Sequence, residues 1–274
     1  MMSEYSSLFF IPERNHIPLK AEDLRQWYHN LILEVEKANY HSDKLLLLED
    51  KRNYYGKYLS ADTREFFLNH FGRNLAEAVN FYFKDKEKIK YLEIGSGCGN
   101  QLLLMALLGA EVVGYDIRQD VSDLVKRRKD FYEGVSRRKL NISLLCEDIF
   151  KIDLDSREKF DAINFLFSFN DLKANEKMLE LVNHLIKPGG RLVIQDTNPT
   201  NYYNQLFRRR GALPPGKVVK ILKSYGFKIH SLRGGYVLPP IFWLLLSIKI
   251  LAPIDQFLCR SLFLSVSYRL MAEK

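Results

Sequence analysis

Short apolar runs alternate with amphipathic segments along the chain from residue 89 to its end. This order of segments is typical of a parallel sheet whose strands are joined by crossover helices. We therefore predict an α/β fold with helices at residues 100–108, 174–186 and 215–225, the second ending in a turn at residues 187–190. The predicted strands are residues 90–95, 111–116, 141–148, 160–168, 191–196, 227–233 and 266–274.

The chain before this pattern is predicted to be helical. Apolar residues such as Leu24, Tyr28 and Leu31 recur there at spacings of three and four, and Gly56 and Gly72 are predicted to break the helices. We therefore expect an N-terminal helical cap region at residues 1–88. An α/β domain at residues 89–274 follows, and it carries an apolar insertion at residues 234–265.

The sequence LEIGSGCGN, residues 92–100, places a glycine-rich turn between a predicted strand and a predicted helix. Such a turn lets the backbone approach a ligand and offers free N–H groups at the helix start. The glycine spacing is G-x-G-x-G and not the G-x-G-x-x-G of dinucleotide-binding folds, and the acidic Glu93 disfavours a pyrophosphate. Asp116 follows Glu93 by 23 residues, near the spacing at which an acid binds a ribose. The pattern favours a ligand with a ribose, a cationic amino-acid tail and no phosphate.

The segments LEIGSGCGN, VVGYD, CEDIF, FDAINFLFS and LIKPGGRLVI, in this order, resemble the motifs of class I S-adenosylmethionine-dependent methyltransferases. The resemblance implies S-adenosylmethionine as cofactor and a seven-stranded, mostly parallel sheet whose last strand lies antiparallel beside the fifth. It also implies that Glu93 and the glycine turn bind the methionine part and that Asp116 binds the ribose hydroxyls. The other implied cofactor-binding residues are Gly95, Ser96, Gly97 and Gly99 in the turn, Ile117, Asp148 and Ile149 beside the adenine, and Phe165 and Phe167 along the cofactor edge.

The sequence SFND, residues 168–171, is the polar end of the predicted fourth strand, where family members place groups that face the acceptor. Transfer of an activated methyl group mainly requires alignment of the nucleophile and exclusion of water. We predict Asn170 and Asp171 as the catalytic residues. The [DN]-P-P-[YF] motif of amino-adenine and glutamine methyltransferases is absent from this position. No metal-ligand spacing occurs either, so no metal is expected.

Candidate acceptor-binding residues follow the predicted fifth strand. Asn198 and Asn201 form an N-P-x-N element at the rim where open α/β sheets bind ligands. Arg208, Arg209 and Arg210 suit a phosphate group, although such a run also fits a solvated loop. The basic clusters at residues 126–129 and 137–139 are predicted to be helix and loop faces far from the site.

The segment PPIFWLLLSIKILAP, residues 239–253, is too short to cross a bilayer, since its eleven central residues would form a helix of ~16 Å. It is also too apolar for an ordinary surface helix. We expect either a lid packed on the N-terminal helices or a helix in a membrane interface, with Trp243 and Lys249 near the headgroups.

These features predict a methyltransferase that acts on a hydroxyl or amine of a small, amphiphilic acceptor. The elements after the fifth strand also resemble a subset of the family with glycan, lipid-linked or polyketide-like substrates. Two alternatives stay open: an RNA or protein methyltransferase, and a catalytically silent protein that binds the cofactor or a partner. Nucleic acid is disfavoured because the basic residues are spread over several faces.

Charge and cysteine content give the expected location. The formal net charge of +8 permits an anionic membrane surface as a partner. The three cysteines are scattered and the N-terminus lacks a secretory pattern, so we expect a cytoplasmic protein that can lie peripherally on the inner face of a membrane. No oligomeric state is predicted from the sequence.

Overall fold

The structure, a computed structural model, describes residues 7–37, 61–151, 159–172, 175–207, 212–238, 242 and 248–274. Seven strands of this part of the chain form a sheet in the order β3-β2-β1-β4-β5-β7-β6. The strands are β1 (Lys90–Ile94), β2 (Glu111–Tyr115), β3 (Ile142–Leu145), β4 (Phe160–Leu166), β5 (Ile186–Thr197), β6 (Lys228–Gly234) and β7 (Ser267–Glu273).

Eight α-helices occur in the described residues, and they flank or connect the strands. They are α1 (Ala21–Lys37), α2 (Ala61–Phe83), α3 (Asn100–Leu107), α4 (Gln119–Ser136), α5 (Asn175–Leu185), α6 (Tyr202–Phe207), α7 (Pro215–Ser224) and α8 (Ile248–Leu258). Short 3-10 helices lie at Arg14–His16, Ile149–Lys151 and Phe169–Asp171.

The strand directions confirm the predicted sheet. Strand β1 runs parallel to β4, β2 parallel to β3, and β4 parallel to β5. Strand β7 lies between β5 and β6 and runs antiparallel to both, with Asp196 opposite Tyr268. The carboxyl end of β5 therefore lies beside the beginning of the last strand.

The chain divides into two compact units, of which the first comprises residues 1–89 and 96–147. Helix α2 is continuous through Gly72, so the predicted break at this residue is wrong, while Gly56 lies outside the described residues. A Cβ atom at Gly72 would lie 3.3 Å from the carbonyl oxygen of Ala21, the first residue of α1. Glycine thus allows the close packing of α1 on α2, and Trp27 and Tyr28 of α1 are fully buried.

The second unit comprises residues 90–95 and 148–274. Strand β5 begins at Ile186, so the predicted turn at residues 187–190 is instead part of this strand. The N–H of Gly189 donates to the carbonyl of Lys274, and the N–H of Lys274 donates to Gly190 at 2.9 Å. The end of the chain thus pairs with backbone groups that a turn would leave to solvent.

The structure describes only part of the apolar segment. Helix α8 contains Pro253, the last residue of that segment, and is anchored by the buried Leu251 and Asp255. The role of the segment as a lid or as a membrane-interface helix stays a prediction. Trp243 lies outside the described residues. Among the helices of the described ranges, none has both the length and the apolar character needed to span a membrane.

Candidate active site

The glycine-rich turn after β1 contains three residues in the left-handed region of backbone conformation. The φ angles are +72° at Gly95, +50° at Gly97 and +75° at Gly99, which precedes α3. A side chain would strain the backbone at each position. A Cβ atom at Gly99 would also lie 2.8 Å from the side chain of Val125. Glycine is therefore required for the shape of this turn, as the motif predicted.

Asp116, directly after β2, closes the glycine turn. Its Oδ2 accepts a hydrogen bond from the N–H of Gly97 at 2.9 Å, and its Oδ1 accepts one from the N–H of Arg118 at 3.0 Å. The N–H of Ser96 donates to the carbonyl of Tyr115 at 3.0 Å. The carboxylate is thus fixed in direction, and each of its oxygens keeps a lone pair for a further donor.

The space around the turn fits a bound ligand. Apart from Gly97 itself and its two chain neighbours, no described residue has an atom within 4 Å of the position that a Cβ atom at Gly97 would take, so the backbone is open on this side. The side chain of Ile117, next to Asp116, is 76% exposed. An exposed apolar side chain beside a fixed carboxylate is suited to an adenosine group, whose base is flat and apolar and whose ribose carries hydroxyl donors.

Glu93, in the second unit, is buried in β1 with 1% exposure. Its Oε1 accepts a hydrogen bond from Nδ2 of Asn164, its neighbour on β4, at 3.2 Å. The Ser168 hydroxyl donates to the carbonyl of Ile94 at 2.5 Å, and a Cβ atom at Gly95 would lie 2.4 Å from the Ser168 Cβ. Asn164 and Ser168, which the sequence did not single out as site residues, therefore support the end of β1.

Asn170 is held by the carboxyl end of β5. Its backbone N–H and its Nδ2 donate to the two carboxylate oxygens of Asp196 at 2.9 and 3.0 Å. The same Nδ2 donates to the carbonyl of Thr197 at 2.7 Å. Its Oδ1 is buried and has no hydrogen-bond partner among the described residues. Asp171, the neighbouring predicted residue, is exposed. From the sequence, Asp196 was predicted only as the last residue of a strand. The structure shows that its carboxylate holds Asn170 in position.

Tyr268 lies opposite Asp196 in the sheet and is fully buried. Burial, and to a smaller extent the nearby Asp196 carboxylate, raises the pKa of its hydroxyl well above the usual range. Tyr268 therefore stays protonated at neutral pH and cannot serve as a base there.

The residues predicted beside the adenine follow β3. Asp148 is exposed, and its Oδ1 accepts a hydrogen bond from the N–H of Phe150 at 3.0 Å. Ile149 is buried with 5% exposure. The carboxylate of Asp148 thus shapes a short turn, and its contact with a cofactor stays a prediction.

The two phenylalanines predicted along the cofactor edge differ in environment. Phe165 is fully buried and packs edge-on against Phe169, with ring centroids 5.4 Å apart. Phe167 is half-buried and has a φ of +56°, an uncommon conformation for a bulky residue. Phe165 thus contributes to the core, whereas Phe167 has the strained backbone that is frequent at functional sites.

The predicted acceptor-binding asparagines brace a neighbouring loop. Nδ2 of Asn198 donates to the carbonyls of Leu262 and Ser265 at 2.5 and 3.0 Å. Nδ2 of Asn201 donates to the carbonyls of Phe263 and Leu264 at 3.2 and 2.9 Å. Acceptor binding by these residues stays a prediction. Arg208, Arg209 and Arg210 lie outside the described residues.

The predicted surface position of the cluster at residues 126–129 is wrong for Arg128. Its side chain has 0% exposure and donates a hydrogen bond to the carbonyl of Cys98 in the glycine turn. Sequence reasoning missed this residue because three other basic residues surround it.

Within the described ranges, no group of His, Cys, Asp or Glu side chains could hold a metal ion.

The sheet, with its last strand inserted antiparallel beside the fifth, has the class I methyltransferase fold. A family model described as "Methyltransferase domain" matches residues 67–232, more than half of the chain. The protein therefore belongs to the methyltransferase domain family. The predicted resemblance to S-adenosylmethionine-dependent methyltransferases and the predicted cofactor are confirmed.

Curated relatives match part of the chain. A ubiquinone biosynthesis O-methyltransferase from Coxiella burnetii is 29% identical over 137 residues, 46% of this chain and 55% of that protein. A demethylmenaquinone methyltransferase from Tropheryma whipplei is 25% identical over 161 residues, 56% of this chain and 63% of that protein. The chain thus spans between half and two thirds of the length of these relatives.

Solved structures share the fold at low sequence identity. The magnesium protoporphyrin IX methyltransferase from Synechocystis, solved with bound S-adenosylmethionine, has a TM-score of 0.53 at 14% identity. The match covers 90% of this chain and 97% of that one. A methyltransferase from Archaeoglobus fulgidus has a TM-score of 0.50 at 21% identity, covering 77% of this chain and 99% of that one.

Proposed function

We propose that the protein transfers the methyl group of S-adenosylmethionine to a hydroxyl or amine of a small, amphiphilic acceptor. The glycine turn that Asp116 closes, with open space in front of Gly97, carries this proposal. Asp116 would bind the ribose hydroxyls, and Ile117 would pack on the adenine. The proposed contacts to the methionine part come from Glu93, Gly95, Ser96, Gly97 and Gly99, and further adenine and edge contacts from Asp148, Ile149 and Phe167.

The reaction requires of the protein mainly that it positions the acceptor and the cofactor. S-adenosylmethionine supplies a methyl group that its sulfonium already activates, so the chain has to hold the acceptor atom in line and exclude water. The buried Oδ1 of Asn170 can accept a hydrogen bond from an acceptor hydroxyl or amine, while Asp196 and Thr197 hold the amide. An amide cannot remove the proton, and we assign that role to the exposed carboxylate of Asp171.

Changing Asn170 to alanine tests the assignment. In an assay with labelled S-adenosylmethionine and alkylated phenols or quinols in detergent, we expect Asn170→Ala to lower kcat/KM about 10- to 100-fold, because an orienting hydrogen bond is lost. Calorimetry should show an unchanged affinity for S-adenosylmethionine. Gln205→Ala, which changes an exposed amide on α6, is the matched control and should retain full activity.

Three other results would contradict the proposal. Label on RNA or protein and on none of the small acceptors would favour the macromolecular alternative. Cofactor binding without transfer to any acceptor would favour a silent binding protein. A loss of cofactor affinity in Asn170→Ala would mean that this residue belongs to the cofactor site.

An exposed apolar face supports the amphiphilic acceptor. It consists of Ile250, Ile254 and Phe257, which share one side of α8, and of Phe263 and Leu264 in the loop that follows. Phe257 is 66% exposed, and the Arg260 guanidinium lies 5.4 Å from its ring centroid. Lys249 is exposed at the start of the same helix. Apolar side chains flanked by basic ones suit an anionic membrane surface, from which we propose that the acceptor is taken. The relatives named for ubiquinone biosynthesis and demethylmenaquinone agree with such an acceptor.

A flotation experiment tests this apolar face. With anionic phosphatidylglycerol vesicles we expect the full chain to float, and the variant Ile254→Ser/Phe257→Ser to bind at least ~10-fold more weakly, since each side chain loses apolar burial of about 1.5 to 3 kcal/mol. Both positions are exposed, so the fold should persist. The control Leu8→Ser changes an exposed apolar residue, 52% exposed, of the other unit and should float like the wild type. If the wild type does not float, or if both variants float equally well, the membrane proposal is wrong.

A further inference from the structure

A fully buried ion pair connects α1 and α4 inside the first unit. Nε and Nη2 of Arg128, on α4, donate to the two carboxylate oxygens of Glu34, on α1, at 2.6 and 2.8 Å. Both side chains have 0% exposure. The hydroxyl of Tyr132 donates to the same carboxylate at 3.1 Å. The planar guanidinium is therefore held in one orientation by α1.

The third donor group of this guanidinium reaches the glycine turn. Nη1 of Arg128 donates to the carbonyl of Cys98, which lies between the positive-φ residues Gly97 and Gly99. This contact fixes the peptide plane that joins Cys98 to Gly99. The Ser96–Gly97 peptide is also fixed, since the N–H of Gly97 donates to Asp116. The turn is thus held at two peptides with one peptide between them, once by Asp116, which is proposed to bind the ribose, and once by Arg128.

We propose that Glu34 and Arg128 form a relay through which the N-terminal helix α1 controls cofactor binding. When α1 is docked, Glu34 aligns Arg128, and Arg128 holds the Cys98 carbonyl so that the glycine turn presents its open side. When α1 is displaced, the turn loses this clamp and the affinity for the cofactor falls. This inference rests on the proposed binding of S-adenosylmethionine at the glycine turn, and it makes Arg128 a positioning residue.

The coupling has to be reciprocal. If docking of α1 favours cofactor binding, then the bound cofactor must stabilise docked α1 by the same factor. If the ion pair has a purely structural role, the cofactor should slow exchange in α1 only as much as it slows exchange elsewhere in the first unit, by stabilising the folded chain. The additional protection of α1 therefore distinguishes a relay from a purely structural ion pair.

The experiment combines calorimetry with hydrogen exchange on the full chain. We expect Arg128→Lys, which keeps the charge but cannot make all three contacts, to bind S-adenosylmethionine about 10- to 100-fold more weakly. Glu34→Gln should also bind S-adenosylmethionine more weakly than the wild type. Tyr132→Phe removes one hydrogen bond to Glu34 and leaves the relay intact, so its affinity should stay within about threefold of the wild type.

In the wild type, saturating S-adenosylmethionine should slow amide exchange in residues 21–37 about 10-fold more than elsewhere in the first unit, whereas in Arg128→Lys it should slow both to the same extent. Equal cofactor affinity in the wild type and both relay variants, or wild-type α1 exchange that the cofactor slows no more than exchange elsewhere in the first unit, would overturn the relay. A wild-type chain that fails to bind S-adenosylmethionine would instead overturn the proposed function. If Arg128→Lys does not fold, Glu34→Gln decides the question alone.

Discussion

Changing Arg128 to methionine is expected to lower the free energy of unfolding by about 3 to 5 kcal/mol, because the Glu34 carboxylate would stay buried without its charge partner. Both side chains have 0% exposure. The hydroxyl of Tyr132 would be left as a donor to that carboxylate. Methionine has a length similar to the aliphatic part of arginine, so the loss would not come mainly from a cavity. Urea titration followed by circular dichroism measures this difference.

The double variant Glu34→Met/Arg128→Met gives the control. It removes both desolvated charges, and it should therefore be more stable than either single variant. Lys126→Met, on the same helix, changes a pair with Asp123 whose side chains are 58% and 41% exposed, and its urea midpoint should match the wild type. An Arg128→Met midpoint equal to that of Lys126→Met would show that the buried pair does not hold the unit together.

The features that could be predicted from the sequence are local in the chain. The strands, the glycine turn and Asp116 lie within short segments where periodicity and residue type act directly. The positive φ angles at Gly97 and Gly99 favour glycine at both positions, as the motif predicts. This is why the cofactor side of the candidate site was predicted in more detail than the acceptor side.

Arg128 was missed because its role depends on two distant segments. Its charge resembles that of its neighbours in the run KRRK, and this run suggested a solvated face. One signal was present: Val121, Val125, Arg128 and Tyr132 recur at spacings of four, three and four, so Arg128 occupies a position on the apolar side of α4. A basic residue at such a position needs a buried acid, and the sequence does not show that Glu34 on α1 provides it.

The two errors in the secondary structure have the same origin. Gly72 would end an isolated helix, but the packing of α2 against Ala21 compensates for the low helix propensity of glycine. Residues 187–190 have the composition of a turn, yet the final residue of the chain pairs with them. In both places a partner far away in the chain outweighs the local preference, and the sequence pattern alone does not identify that partner.

Changing Asp116 to alanine is expected to weaken S-adenosylmethionine binding about 100-fold. A carboxylate that accepts hydrogen bonds from two ribose hydroxyls contributes about 1.5 to 3 kcal/mol for each, and ~3 kcal/mol corresponds to roughly this factor. Asp116→Asn keeps one oxygen that can accept from Gly97 and should lose affinity to a smaller extent. Isothermal titration calorimetry measures both, with circular dichroism as the check on folding.

A cofactor analogue without the ribose hydroxyls shows why Asp116→Ala weakens binding. The cause is either the loss of a contact to the ribose or a change in the shape of the glycine turn. The 2′,3′-dideoxy analogue of S-adenosylhomocysteine should bind the wild type about 100-fold more weakly than S-adenosylhomocysteine itself, because it lacks the two donors. In Asp116→Ala the two ligands should bind equally, since the partner of those hydroxyls is gone. If the analogue loses affinity to the same extent in both proteins, Asp116 does not contact the ribose. Its effect on binding would then arise from its hydrogen bond to Gly97, which shapes the turn.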